Sequence, residues 1–346
     1  MDTISKSAEL GAALAELTRW HQLQCPRYER ILEILGQREN KIAGTEDVPY
    51  IPVRLFKEMD LISVDQNQIF KTMTSSGTSG QQVSRIYLDR DTAAFQTKVL
   101  TRLMTDVLGK KRLPMLVIDS PAVLRDRHAF SARGAGILGF SLFGQDVTYA
   151  LDEQMNLDIP GIEGFLARHA GQDIFIFGFT FMIWLYFCQA LEAQDIKLPI
   201  ERGILLHGGG WKKLQDQAIT NEHFSHILAD RAGINKVVNY YGMVEQTGSI
   251  YLQCEQGKLH APIFSDIVIR DPNDFRPLGV GETGLIETLS LIPLSYPGHA
   301  LLTEDLGRIE GVDDCPCGRL GKYFSVEGRL PKAEMRGCSD TYEKRT

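Results

Sequence analysis

Four short apolar runs, "LPMLVID", "DIFIFGF", "GILLHGGG" and "NKVVNYYG", each end in a polar or glycine-rich turn and mostly lead into an amphipathic stretch. A chain that repeats this texture from about Phe70 onward has few ways to fold. It predicts an α/β arrangement in which buried strands carry functional loops at their carboxyl ends. After Tyr241 the texture changes to strand runs and turns, "SIYLQCE", "FSDIVIR", "TGLIETL" and "HALLTEDLGRIE", so about 241–328 is expected to be a β-rich subdomain. Before the alternation begins, Leu10, Leu14, Leu17 and Trp20 fall on one helical stripe and Tyr28, Ile31, Leu32 and Leu35 on a second. Residues 1–55 are therefore expected to be a helical segment packed on a main domain of 56–330, with 331–346 a mobile tail.

Composition narrows the function classes. The 346 residues are 43% hydrophobic, enough to fill a substantial core. Against 37 basic residues stand 44 acidic ones, with no basic run, which argues against nucleic acid as a partner. Ile174 to Leu191 is uncharged over 18 residues, the lower limit for a membrane span. Gly178 divides it and no Lys/Arg anchors flank it, so it reads as a buried strand turning into a buried helix from Thr180. No secretory leader follows "MDTISKSAEL", which gives a cytoplasmic expectation and makes the six cysteines thiols or metal ligands.

The stretch Met73 to Gly80, "MTSSGTSG", follows the strand-like "QIFKT" and packs hydroxyls and glycines together. Such a loop either is a plain connection or wraps a polyphosphate, since glycines let backbone N–H groups approach closely and hydroxyls add donors. Gln81 and Gln82 stand where the usual phosphate loop has Lys and Ser/Thr, so that motif is not met. Three further motifs follow: "YYGMVEQ" with Glu245, "LLTEDLGRIE" with Asp305, and "VEGRLPKAEMRG" with Arg329.

In this order the four motifs resemble those of the acyl-adenylate-forming superfamily of acyl-CoA synthetases, nonribosomal adenylation domains and firefly luciferase. The resemblance implies the large N-terminal domain of that fold and a reaction in which a carboxylate attacks the α-phosphorus of ATP. It further implies that Ser75, Ser76, Gly77, Thr78, Ser79 and Gly80 grip the β- and γ-phosphates, and that Tyr241 stacks on adenine beside Gly242. By the same carry-over Gly208 and Gly209 border the base, Glu245 holds Mg²⁺, and Asp305 takes the ribose hydroxyls with Arg329 nearby. Three departures stand out. Gln82-Val83 replace the usual Pro-Lys, Val244 replaces a Thr, and the chain ends at Thr346, where the small C-terminal domain is expected to begin.

A narrower family absorbs these departures. "VPYIPVRLFK", "MTSSGTSG", "YYGMVEQ", "SYPGHALLTEDLG" and "GRLPKAEMRGCSD" resemble the LuxE family of acyl-protein synthetases. That likeness implies activation of a fatty acid, transfer to a cysteine near the C-terminus, here Cys338, and delivery to an acyl reductase partner. Rival readings are a truncated aryl- or acyl-CoA ligase of the phenylacetate-CoA ligase type and a noncatalytic nucleotide-binding subunit of a reductase. "LLHGGGW" also suits the oxyanion turn of a hydrolase, but no G-x-S-x-G elbow follows.

Two cysteine features remain. Cys254-x₅-His260 and Cys315-Pro316-Cys317 supply a Cys₃His set for structural zinc, as phenylacetate-CoA ligase relatives hold it, or else are two unrelated pairs in β turns. Cys338 sits in a polar tail with Arg336, Lys332 and Arg329 before it, charges that favour a thiolate. An acyl-adenylate is a mixed anhydride open to attack by such a thiolate.

Overall fold

The computed structural model describes residues 2–39, 41–75, 83–124, 132–210 and 219–330. Strands run in chain order β1 (Ile51–Pro52), β2 (Lys71–Thr74), β3 (Arg85–Leu88), β4 (Leu113–Val117), β5 (Gly144–Tyr149), β6 (Ile174–Phe179), β7 (Gly203–Gly208), β8 (Lys236–Tyr241), β9 (Tyr251–Gln253), β10 (Leu259–His260), β11 (Ser265–Arg270), β12 (Gly284–Ser290), β13 (Ala300–Val312) and β14 (Lys322–Arg329). The chain divides into two compact units. The first comprises Met1–Met73, Gln82–Gln96 and Glu245–Thr346, and the second Thr74–Gln81 and Thr97–Val244.

The second unit is built on a parallel sheet in the order β8-β7-β6-β4-β5. Parallel strands need crossovers, and helices supply them: Ile159–Arg168 lies between β5 and β6, and Asn221–Ala232 between β7 and β8. Their ends follow from sequence. Asp158 caps the first by accepting from Gly161 N–H, and Thr220 caps the second by accepting from His223 N–H. Gly233, left-handed at φ 67°, closes the second helix.

β6 is buried throughout, and the helix starts at Thr180 as expected, with a π-helical turn over Ile183–Cys188. Alternate β6 residues go to opposite faces. Ile174 and Ile176 join Ile183, Trp184, Phe187 and Leu191 in one core, against the Ile159–Arg168 and Asn221–Ala232 helices. Phe177 lies against Phe140, ring centroids 4.7 Å apart. Most of the uncharged 174–191 segment is thus spent on the interior, and no helix among the described residues is long and apolar enough to cross a membrane.

The first unit carries an antiparallel sheet in the order β11-β12-β13-β14-β10-β9, with β1 parallel on β13 through Ile51↔Leu301. Against it lie two helices, α1 (Thr3–Gln24) and α2 (Pro26–Ile34). Asp2 caps α1 by accepting from Ser5 N–H, and Pro26 opens α2, where its missing N–H costs nothing. Leu10 and Leu14 pack with Val48, Val268, Leu289 and Ala300.

The expected stripe on α1 needs one correction. Leu10, Leu14 and Leu17 are buried but Trp20 is 42% exposed, donating its indole N–H to the Leu294 carbonyl, and the inward position belongs to His21. A polar residue fills it because its ring is fully bonded: Nε2–H reaches the Pro293 carbonyl at 3.1 Å, leaving Nδ1 to accept from Ser63 at 2.7 Å. Leu35 is likewise exposed, since α2 ends at Ile34.

Candidate active-site residues and a cysteine–histidine cluster

In the first unit Glu245 sits in the short 3₁₀ turn Val244–Gln246 and is 7% exposed. Several contacts fix that turn. Tyr296 Oη donates to the Glu245 carbonyl at 2.8 Å, and the Tyr296 ring meets Phe56 edge-on at 5.9 Å. The Gln246 amide donates to the carbonyls of Thr288 and Gly298 at 3.1 and 2.8 Å. Gly298 must be glycine, since a Cβ there would stand 2.3 Å from the Tyr296 ring and 2.9 Å from the Glu245 carbonyl oxygen. Burial raises the Glu245 carboxyl above its ordinary value, opposed by the Ser84 hydroxyl and by the charges of Lys57 and Arg329.

Asp305 and Arg329 are 24 residues apart in sequence but face each other across the β13–β14 ladder. Arg329 Nε donates to Asp305 Oδ1 at 3.1 Å, and the Leu330 N–H reaches the Glu304 carbonyl at 3.0 Å. Asp305 N–H is tied to Thr303 Oγ1 at 3.2 Å, so the carboxylate projects from a braced strand. The arginine side chain is 62% exposed and the aspartate 20%.

In the second unit the carboxyl end of β7 becomes a glycine turn. A Cβ on Gly208 would lie 2.8 Å from the Tyr240 carbonyl oxygen, and Gly209 and Gly210 are both left-handed, at φ 83° and 55°. Beneath the turn, the Thr180 hydroxyl donates to the Gly208 carbonyl at 3.1 Å. That hydroxyl has one proton, so His207 Nδ1, 2.9 Å away, is the donor of their shared bond. Complete burial pushes His207 down to about 4, which keeps it neutral. Tyr241 ends β8 half-buried, with Gly242 exposed beside it, and Ser75 follows β2 half-buried. Ser76, Gly77, Thr78, Ser79 and Gly80 lie outside the described residues, as does Cys338.

Ser84, Lys57, Tyr296 and Gln246 are the supports that sequence reasoning did not assign. Each is an ordinary residue type, and although Lys57, Gln246 and Tyr296 stood inside stretches already singled out, "VPYIPVRLFK", "YYGMVEQ" and "SYPGHALLTEDLG", nothing local assigned them a part.

The cysteines and histidine of the β-rich part come together. The ligand atoms of Cys254, His260, Cys315 and Cys317 all lie within 4.8 Å of one another. Cys254 Sγ is 4.0 Å from Cys315 Sγ, and Cys317 Sγ is 3.5 Å from His260 Nε2. Two glycine-closed turns present the thiols: Gly257 N–H bonds the Cys254 carbonyl, and Gly318 N–H the Cys315 carbonyl, both at 2.9 Å. β10 carries His260 opposite Tyr323 of β14, the rings stacked at 5.6 Å. Burial, with Arg319 nearby, lowers the His260 imidazole and favours its neutral form, the form that ligates a metal.

The model of the acyl-protein synthetase family, LuxE, matches residues 10–346. The chain belongs to the LuxE family. Among curated relatives, the long-chain-fatty-acid–luciferin-component ligase of Vibrio harveyi is 22% identical over 335 residues, spanning 93% of this chain and 84% of that one. The enzyme of the same name from Aliivibrio fischeri is 25% identical over 305 residues, 85% of this chain and 77% of its own. Among solved structures, 2-hydroxyisobutyryl-CoA ligase in an open conformation superposes with a TM-score of 0.68 at 16% identity, covering 96% of this chain and 76% of that one. The fold is therefore that of the adenylate-forming ligases, an α/β body with a β-rich part, as the motif order implied. This LuxE-family chain is an AMP-forming acyl ligase.

Proposed function

We propose that the protein activates a fatty acid as its acyl-adenylate, moves the acyl group to Cys338 and presents it to an acyl reductase. The observation that carries the nucleotide half is the Asp305–Arg329 pair: one half-buried carboxylate, held by strand register beside one exposed guanidinium, suits a ribose diol and the charge next to it. Tyr241, Gly242, Gly208 and Gly209 hold the base, and the 75–80 loop holds the phosphates. Glu245 is the Mg²⁺ ligand, the metal offsetting charge on the phosphates. The substrate carboxylate attacks the α-phosphorus, pyrophosphate leaves, and the acyl-adenylate remains. The Cys338 thiolate then attacks the acyl carbon and AMP departs, which gives a thioester. The fatty class of acid rests on the names of the two curated relatives.

Three thiols and a neutral imidazole within 4.8 Å fit a closed tetrahedral zinc site, in which Zn–S bonds of about 2.3 Å set sulfur atoms roughly 4 Å apart. Cys254, His260, Cys315 and Cys317 are accordingly read as structural zinc ligands, pinning β9, β10 and the β13–β14 turn.

Incubation with ATP, Mg²⁺ and a labelled fatty acid tests the reading. The label is expected on the C-terminal peptide, labile to hydroxylamine, and absent in Cys338→Ala while carboxylate-dependent pyrophosphate exchange persists. Asp305→Ala should lower that exchange by roughly a hundredfold. Label retained in Cys338→Ala, or transfer that requires CoA, would move the reading to an acyl-CoA ligase.

A further inference from the structure

The β6 strand ends in a ring held in an unusual setting. Phe175 and Phe177 are fully buried, whereas Phe179, the last aromatic on the same face, keeps 8% of its surface. Two glycines from different segments border its ring. A Cβ on Gly136 would lie 3.0 Å from Phe179 Cζ, and one on Gly209 would lie 2.6 Å from Cδ1. The first of them is costly where it stands. Gly136 occupies the interior of the helix Ala132–Phe140, where glycine is about 1 kcal/mol less favourable than alanine. Gly209 is left-handed and exposed in the turn after β7. Each keeps clear the space that the ring fills.

The wall continues inward from that ring. Phe179 meets Phe177 edge-on at 5.7 Å, Phe177 lies 4.7 Å from Phe140, and Phe140 lies 5.4 Å from Tyr240. The end members of this row, Phe179 and Tyr240, lie at or next to the carboxyl ends of β6 and β8, with Gly209 following β7, where open parallel sheets place their ligands. The opposite face of β6 is closed by the Ile174, Ile176, Trp184 and Phe187 core.

We propose that Phe179 is the residue that sets acyl-chain length: its ring, positioned by Gly136 and Gly209, is the stop against which the end of an unbranched aliphatic acid packs. This rests on the carboxylate-activation reading above. A smaller side chain lengthens the pocket and a larger one shortens it. Substitution at Gly136 acts through the ring rather than on the substrate, because its Cβ would displace the Phe179 edge.

The test is ATP–pyrophosphate exchange across a series of straight-chain carboxylic acids, comparing wild type with Phe179→Ala, Phe179→Leu, Phe179→Trp and Gly136→Ala. In Phe179→Ala and Phe179→Leu the ratio of kcat/KM for long over short acids should rise at least about tenfold, since one methylene in an apolar pocket is worth roughly that much. In Phe179→Trp and Gly136→Ala it should fall. Leucine keeps most of the buried volume, so the inference stays testable if the alanine variant folds poorly. Unchanged chain-length profiles in folded variants would overturn the assignment of Phe179 alone. Wild-type protein that supports exchange with no carboxylic acid would instead overturn the activation reading beneath it.

Discussion

The two units solve burial differently. Among the described residues the second hides one ionisable carboxylate or cation, Asp119, while the first hides Lys6, Glu245, Asp266, Arg270, Glu287 and Lys322. The second is held by apolar packing across a parallel sheet, the first by paired charges and a thiol–imidazole cluster. Apolar packing is tolerant of small shifts and shapes a pocket. Paired buried charges are not tolerant, and they suit the unit in which we propose that Glu245, Asp305 and Arg329 hold the nucleotide and its metal.

The sharpest separation should come from metal removal. Chelation, or Cys315→Ser, is expected to cost the first unit several kcal/mol, on the order of ten degrees of melting temperature. Freshly purified protein should carry about one equivalent of zinc. Hydrogen exchange should show lost protection in 251–260 and 300–329 with little change in 174–208. Full retention of melting temperature in metal-free protein would remove the cluster from the comparison.

The same division explains what could be read in the sequence. In the second unit the strands and the Thr180 helix start were legible because apolar runs and glycine turns are local signals. Asp305 and Arg329 were legible as motifs, though their contact is a product of the β13–β14 register. Cys254 and Cys315 were visible as ligand types, but their separation of 61 positions hid their 4.0 Å approach. Nothing local marks Ser84 as Glu245's partner, and the helical stripe misassigned Trp20 because periodicity cannot tell an indole from a buried imidazole whose two nitrogens are both satisfied. The loop at 76–80 and the tail carrying Cys338 lie outside the described residues, so their roles rest on the sequence and the family.

Removing single buried carboxylates probes the contrast next. Asp266 is 1% exposed and serves two ammonium groups, Lys6 at 3.7 Å and Lys322 at 3.2 Å, besides the Thr45 hydroxyl. Asp266→Asn removes the carboxylate that both buried cations pair with and should cost about 3–5 kcal/mol. Lys6→Met, which leaves a one-to-one pair, should cost far less. In the second unit Asp119 pairs with Arg133, which is 28% exposed and can turn to water, so Asp119→Asn should cost only about 1 kcal/mol. Urea denaturation of the three variants ranks them, and an Asp119→Asn loss equal to that of Asp266→Asn would erase the distinction.

Mild acid gives the smallest contrast, and its sign follows from the buried histidines. Burial pushes His21 down to about 3 and His299 well below its ordinary value, the latter also because the two rings stack at 4.9 Å and one charge opposes the other. In the second unit burial holds His207 at about 4. An unfolded histidine takes its proton near pH 6.5, whereas these three remain neutral while folded. Between that pH and the folded values the unfolded chain binds more protons, so stability is complete above pH 6.5 and falls as pH drops. Each such histidine contributes about 1.4 kcal/mol per pH unit, but in the first unit Glu287, pushed up to about 7 by burial, takes a proton while folded and offsets about one of them. Over pH 6.5 to about 5, amide exchange corrected for its intrinsic pH dependence should lose protection in the second unit, and in the first only by the amount its histidines exceed the opposing Glu287. His207→Asn should flatten the second unit's slope and leave the first unchanged. A second-unit slope that survives His207→Asn unchanged would show that burial of this imidazole is not what sets that unit's response to acid.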